Sequence, residues 1–536
     1  MKWRILILSA FSLFFTACQV QENIQDGQTA YTLKKYKLAA ELLQKDFNKA
    51  ELPDEKSKIA FQIGESYANN NNYENAGEWY FKAYDLGYVS EAILKYALML
   101  KAQEKYEEAL KEFEKYLLEE PYRRPEITLE MDACKNGIAW KQRQENEYER
   151  DTYVTEMISL NSGDADFNPV IYQGDQLIFT SSRDVSTGEN NDSWTGDKYY
   201  DLYVATIKDV NSFSAPELFK GPFNSAYNDG TLAFNKDYSE VYFTRCGTDD
   251  RKVDDYCGIY VSNYLPDGGW SEPVALPFFD DTMNIGTPCL SPDGNTLFFA
   301  ATNPDGYGGA DIYMSRRTEN GWDAAYNAGQ VINTNGNEVF PYFDSDGVMY
   351  FSSDKHPGLG GLDIFSATWK NNKFSNIKNM EYPINSGADD FGLIMLDKKQ
   401  FANSDTLSAG YFSSNRKGGM GDDDMYFFAK TTKKLRPPVF VLKGTVLEKV
   451  YLDSLDVNST VLDTIPLDKS IATLSYPNEQ TLLGKWNIGD EGIFSIQVDS
   501  LKEYKITGMK EGYFNNTTFV STKTVKGKPG DTVIVY

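Results

Sequence analysis

Between residue 27 and about residue 146, apolar and small residues recur at spacings of three and four, the stripe of an amphipathic helix. In YANNNNYENAGEWYFKAYDLGY the stripe is Tyr73, Ala76, Tyr80 and Ala83; in YALMLKAQEKYEEALKEFEKYLLEEP it is Tyr106, Ala109 and Phe113, with Pro121 closing the segment. Tyr73 and Tyr106, like Ala76 and Ala109, stand 33 positions apart, close to the 34-residue tetratricopeptide period. A looser copy, AYTLKKYKLAAELLQKDF, puts Tyr36 and Ala39 in the corresponding places. Small Ala at a helix crossing lets paired helices approach while aromatics fill the adjoining groove. The pattern predicts tetratricopeptide-like helical repeats over 27–146, rather than a plain bundle, with a concave face of the kind that binds other proteins.

After Asp151 the period changes to two, in short apolar runs bounded by Gly, Asn, Asp and Pro. IFTSSR, VYFTRC, LFFAAT, MYFSSD and GYFSSN are five versions of one strand, with Phe179, Phe243, Phe299, Phe351 and Phe412 equivalent. Each is followed by a loop and a second strand: DLYVA, GIYVS, DIYMS, DIFSA and DMYFF. A short strand ending in an Asp-Gly turn precedes several of them, as in PCLSPDGNTLFF, and Asp-Gly supplies the positive φ of a tight hairpin. An outer segment follows, as in GWSEPVALPF. Four strands per repeat is the arithmetic of a β-propeller over 151–435, with five blades counted and a sixth, split between YVTEMISLNS and the C-terminal edge, left open. Asp201, Asp311, Asp363 and Asp424 recur at the start of the later strand, where blade two has Cys257-Gly258. A residue present once per blade is expected to satisfy backbone groups, and the paired serines are read as repeat features, not nucleophiles.

Pro437-Pro438 marks a stiff linker. Beyond it VFVLKGTVLE, KSIATLSY, GIFSIQVDS and EYKITGMKEGYFNNTTFVS alternate as strands of a small β-sandwich over 438–536. The fold class is thus multidomain, α then β.

The first residues change the picture of location. MKWRILILSAFSLFFTAC has a basic start (Lys2, Arg4), an apolar stretch too short to span a bilayer, and small residues before a cysteine. F-T-A-C resembles the bacterial lipoprotein box, which makes 1–17 a signal peptide, Cys18 the lipid attachment site and 18–26 a tether. The formal charge of -25 disfavours nucleic acid and anionic lipid surfaces. Cys246 and Cys257 flank TDDRKVDDY and could close a disulfide or stay unpaired. No CxxC or His/Cys cluster begins a zinc site.

SPDGNTLFFAAT and DSDGVMYFSSD, with GGADIYMS and GGLDIFSA, resemble the PD40 (WD40-like) repeats that also build the TolB propeller. The order G-T-V, G-x-F-S-I and Y-K-I-T-G-x-K-x-G-Y-F resembles the carboxypeptidase regulatory-like domain, a sandwich without catalytic residues. Lipoprotein signal, tetratricopeptide repeats, PD40 propeller and regulatory-like sandwich, in that order, resemble the PorE-type periplasmic lipoproteins of Bacteroidetes. That resemblance implies a lipid-anchored scaffold on the periplasmic side of the outer membrane, accessory to type IX secretion or gliding machinery, with other envelope proteins as partners. In that family an OmpA-like peptidoglycan-binding domain follows the sandwich. This sequence reaches GDTVIVY where that domain should begin, so no wall-binding residue is carried over, and peptidoglycan is a partner only through such an added domain. A TolB/Pal-like envelope-integrity scaffold and a surface glycan- or peptide-binding lipoprotein are the alternatives.

Catalysis finds little footing in the sequence. The one histidine, His356 in SSDKHPGLGG, is expected to be a solvated loop residue, and no GxSxG elbow exists. The acidic loops GGMGDDDMYFF and FFDDTMN do not match a spaced calcium loop. The expectation is no enzyme, no catalytic residue, no metal and no cofactor.

Overall fold

The computed structural model describes residues 24–535 except 147–151, 184–186, 188–195, 248–255, 279–282, 399–400, 402–405, 432–437, 457, 478–480, 490, 526 and 528–531. Cys18, the expected lipid site, lies outside the described residues. So does most of the segment between Cys246 and Cys257.

Seven α-helices come first among the described residues: Gly27–Thr32, Tyr36–Lys49, Pro53–Ala68, Tyr73–Asp85, Glu91–Ala102, Tyr106–Glu119 and Arg124–Asn146. From Gly27 to Glu119 each helix packs on the next. The small residues read from the stripe sit at these crossings: Ala39, Ala76 and Ala109 are all fully buried. Glycine serves the same end from the facing helix. A Cβ on Gly64 would stand 2.8 Å from the Tyr80 ring, and one on Gly137 2.5 Å from Tyr106. Large aromatics thus fit only because the opposing helix offers no side chain.

Five antiparallel sheets follow in chain order. Their first strands are Asp166–Tyr172, Asn228–Phe234, Ile285–Leu290, Glu338–Phe343 and Asp390–Met395, and these pack side by side in a closed ring. The five repeat phenylalanines lie on the second strands, each no more than 1% exposed. Apolar clusters fill every junction between neighbouring sheets, for example Phe298 with Phe343 and Phe374 between the third and fourth. The stretch YVTEM does not begin a sixth sheet. Thr152–Met157 is the outermost strand of the fifth, beside Asp424–Thr431 from the far end of the segment.

Each first strand carries one β-bulge near its start. The bulged residues Asn168, Thr231, Thr287, Phe340 and Gly392 all have left-handed φ, between 39° and 61°. An extra residue with positive φ bends the strand and turns side chains that would alternate in and out. Hydroxyls on the preceding sheet hold several bulges in place. Thr180 accepts from the Thr231 amide (3.1 Å), Thr244 from Thr287 (3.0 Å) and Ser413 from Asn168 (2.9 Å).

The helices as far as Lys141 and the five sheets form one compact unit; residues 430–536, with 142–152 and 404–407, belong to a second. The second unit, taken by itself, has a three-stranded sheet (Ile493–Val498, Val439–Thr445, Thr532–Val535), a four-stranded sheet (Leu482–Asn487, Ile471–Ser475, Glu503–Met509, Asn516–Ser521) and a separate hairpin, Leu447–Tyr451 with Val461–Pro466. Phe440, Leu442, Leu474, Ile496, Tyr504 and Ile506 form its core.

Candidate functional site

Four first strands carry a fully buried acid at their first or second residue: Asp166, Asp229, Glu338 and Asp390. Carboxylates gathered at one end of a ring of sheets are candidates for acid–base chemistry. The sequence analysis did not single them out, although the connector motif that carries them is visible as NSGDAD, NSAYND, NTNGNE and NSGADD.

Each acid is fully engaged. The Ser or Thr four positions earlier donates its amide to the carboxylate: Ser162, Ser225, Thr334 and Ser386, at 2.6–2.7 Å. Arg183 pairs with Asp166, Arg245 with Asp229 (2.5 Å) and Arg416 with Asp390 (2.5 Å). The same arginines lie over aromatic pairs, Phe179 with Tyr203, Phe243 with Tyr260, and Phe412 with Tyr426. Burial raises Asp229 to about 6 against the pull of Arg245, and raises Asp390 against that of Arg416.

His356 is the fourth sheet's version of this arginine, which corrects its expected place in solvent. Its Nε2 sits 2.7 Å from the Ile332 carbonyl, and its ring packs on Phe351 and Phe365. Arg416 makes the corresponding contact with the Ile384 carbonyl. Without an arginine beside it, Glu338 accepts the hydroxyl of Ser353 (2.6 Å), whose counterparts Ser181 and Ser414 instead accept from Arg183 and Arg416.

The connector asparagine clamps the neighbouring sheet. Asn385 bonds both the amide and the carbonyl of Ile364, and Asn333 those of Ile312. Asn224 does the same to Leu202, and Asn161, at the seam of the ring, to Met425. The clamped residue always follows a repeat aspartate. Asp201, Asp311, Asp363 and Asp424 are each 1% exposed and accept amides from the loop before them. Asp363 takes Leu359 (2.8 Å) and Gly360 (3.0 Å), Asp424 takes Met420 (2.6 Å), Asp311 takes Tyr307 (2.6 Å), and Asp201 takes Thr187. Burial raises Asp201, Asp363 and Asp424, Asp363 to about 8. The other oxygen of Asp311, Asp363 and Asp424 has no hydrogen-bond partner. A Cβ on Gly358 would fall 2.0 Å from the Asp363 carboxylate, so the loop glycines are fixed by close approach.

Cys246 and Cys257 face each other across the second sheet and form a disulfide. Cys134 and Cys289 are buried free thiols, both raised to about 12 by burial. Among the described residues no three His, Cys, Asp or Glu side chains are grouped to share a metal ion.

A cavity of about 390 Å³ lies on the ring axis, walled by the bulged residues with Lys236, Tyr238 and Asp397; the four buried acids are not part of its wall. The helical array, meanwhile, is seated on the loops of the fourth and fifth sheets. Lys101 bonds Glu130 (2.5 Å) and the Gly360 carbonyl (3.0 Å), and Glu104 accepts the Gly387 amide (3.2 Å). Tyr73 meets Asp389 (3.3 Å) and Asn415 (3.2 Å).

No protein-family model and no curated protein matches the chain. Solved structures are similar to about half of the chain. An α-L-arabinofuranosidase from Podospora anserina is 11% identical, with 53% of this chain and 98% of that one covered and a TM-score of 0.34. An endo-1,4-β-xylanase from Bacteroides thetaiotaomicron is 11% identical, covering 50% and 92%, at 0.33. An α-L-arabinofuranosidase from Lactobacillus brevis is 13% identical, covering 51% and 92%, at 0.33. The chain's own architecture is a propeller-like β-fold behind a helical N-terminal region; the likenesses agree with that fold and carry no activity over. They do correct one expectation. The three structures named are enzymes, so the expectation from the repeats that the chain is no enzyme is withdrawn, and a likeness of fold at this identity puts no activity in its place.

Proposed function

We propose that the chain is an outer-membrane lipoprotein, anchored through Cys18 and facing the periplasm, that holds envelope proteins together as an accessory to type IX secretion or gliding machinery. On this reading the helices are tetratricopeptide repeats, the five sheets are blades of a five-bladed propeller, and the last unit is a regulatory-like sandwich. The observation that carries it is the seating of the helical array on the ring through Lys101, Glu104 and Tyr73. A repeat array fixed to a second rigid body presents two surfaces in one geometry, and tethered modules raise each other's effective concentration. Crosslinking and affinity purification from native envelopes tests this: enrichment of type IX components supports it, and their absence from a crosslinked sample that retains other envelope proteins rejects it.

The axial cavity favours a second reading, a surface lipoprotein that binds a glycan or peptide. Its volume suits a ligand of a few sugar or amino-acid units. A thermal-shift screen of oligosaccharides and short peptides against the full chain separates the readings, since only the second predicts a stabilising hit abolished by filling the cavity.

A further inference from the structure

Within the C-terminal unit, Asn516–Ser521 is the last strand of the four-stranded sheet and, among the described residues, pairs on one side only, with Glu503–Met509. Thr522 donates its amide inward to the Lys502 carbonyl (2.8 Å). Amides alternate in direction along a strand, so those of Phe519 and Ser521 point away from the sheet. Exposed edges are ordinarily guarded by charges, Pro or a covering element. Here Asn515 to Thr522, NNTTFVST, contains no charged residue and no Pro. Phe519 is 64% exposed and Phe514, at the entry to the strand, 97%.

Beside this edge a groove of about 240 Å³ opens between the sheets, walled by Leu447, Phe494, Ile506, Tyr513, Phe514 and Val520. The edge is also electrically distinct. Of its four lysines, Lys510 pairs with Asp468 (2.8 Å) and Lys523 with Glu503 (3.4 Å), while Lys502 and Lys505 form no ion pair among the described residues, in a chain of formal charge -25. Outward backbone donors unpaired among the described residues, an adjoining apolar groove and the lysines Lys502 and Lys505 together specify an extended ligand with apolar side chains and acidic flanks.

We infer that Asn516–Ser521 receives an extended, acid-flanked strand of a partner protein by β-sheet addition, with one apolar side chain of that strand entering the groove. This names a contact mode for the scaffold proposed above and rests on that reading only for the partner's setting.

The probe is a nine-residue peptide of alternating valine and threonine, with a central phenylalanine and two acidic residues at each end, titrated by fluorescence anisotropy into the full chain. Phe519→Pro removes an outward amide and leaves the inward ladder intact; it is expected to weaken binding at least tenfold, while Phe519→Thr weakens it only a few-fold. N-methylation of the peptide on the edge-facing side should cost a similar tenfold, and Lys505→Glu several-fold at low salt, converging at high salt. Equal affinity for the Pro and Thr variants, or for methylated and unmethylated peptide, overturns the proposal. If Phe519→Pro fails to fold, the methylated peptide and amide exchange at Phe519 and Ser521, slowed by peptide only if a strand adds, decide it alone. Enrichment of secretion components in envelopes with no peptide binding would sink this contact mode and leave the scaffold reading standing.

Discussion

Ile285 faces Ala301 across the third sheet, at the register position where Asp166 faces Ser181, Glu338 faces Ser353 and Asp390 faces Ser414. Both are buried in one apolar cluster. The third sheet has lost the acid and its hydroxyl neighbour together, and an apolar pair fills the space. That is the swap under which a buried polar constellation can be replaced without loss, because no partner is left unsatisfied. It identifies the acids of the other sheets as members of a structural unit that can be exchanged whole.

Introducing half of that unit should be costly. Ile285→Asp places a carboxylate opposite Ala301 with no arginine to meet it, and is expected to destabilise the ring by about 3 kcal/mol or more in urea unfolding. Adding Ala301→Ser should recover part of the loss. A single substitution within 1 kcal/mol of the parent would contradict the assignment.

Removing half of an existing unit should behave alike. Arg416→Ala leaves Asp390 buried and strips the Pro383 and Ile384 carbonyls of their donor. A loss of about 3–5 kcal/mol is expected, against well under 1 kcal/mol for Lys417→Ala, whose bond to Glu74 is exposed.

Asp363 makes stability depend on pH in an unusual direction. Burial raises its folded pKa to about 8, so the native state keeps a proton that the unfolded chain releases near pH 4. Between those values the folded protein binds more protons, and stability falls as pH rises, by about 1.4 kcal/mol per unit for one proton. Above pH 8 the contribution is gone. Asp363→Asn keeps an acceptor for the Leu359 and Gly360 amides and cannot ionise. It should flatten the decline between pH 5 and 8 in thermal melts, and an unchanged slope would show that another group is responsible.

Reducing the Cys246–Cys257 disulfide frees a sequence separation of 11 residues, for which chain entropy predicts a loss of about 2–3 kcal/mol. The melting temperature with and without reductant measures it, and the Cys246→Ser, Cys257→Ser double variant should not respond to reductant.

The seating of the helices should depend on a few buried groups. Lys101 is 8% exposed and links Glu130 to the Gly360 carbonyl. Lys101→Met with Glu104→Ala should speed proteolysis of the helical segment by an order of magnitude while fragments of the ring persist. Loss of helices and ring at one rate would mean that they do not part at this contact.

The elements themselves were legible in the linear order of residues. A stripe at three and four predicts helices, a period of two predicts strands, and copies of one strand about 60 residues apart predict a repeated sheet; each is a local consequence of side-chain direction. The roles of single polar residues were not legible, because their partners are distant in the chain. Asn161 looks like any turn residue until the ring closes and brings Met425, 264 positions away, to its side-chain amide. His356 looks solvated until Phe351, Phe365 and the Ile332 carbonyl surround it. Asp166, Asp229, Glu338 and Asp390 recur once per sheet, but the sequence does not say what they meet. Only the tertiary structure decided that, since the arginine or serine opposite each carboxylate comes from the next strand or just beyond it and reaches it only when the two strands pair.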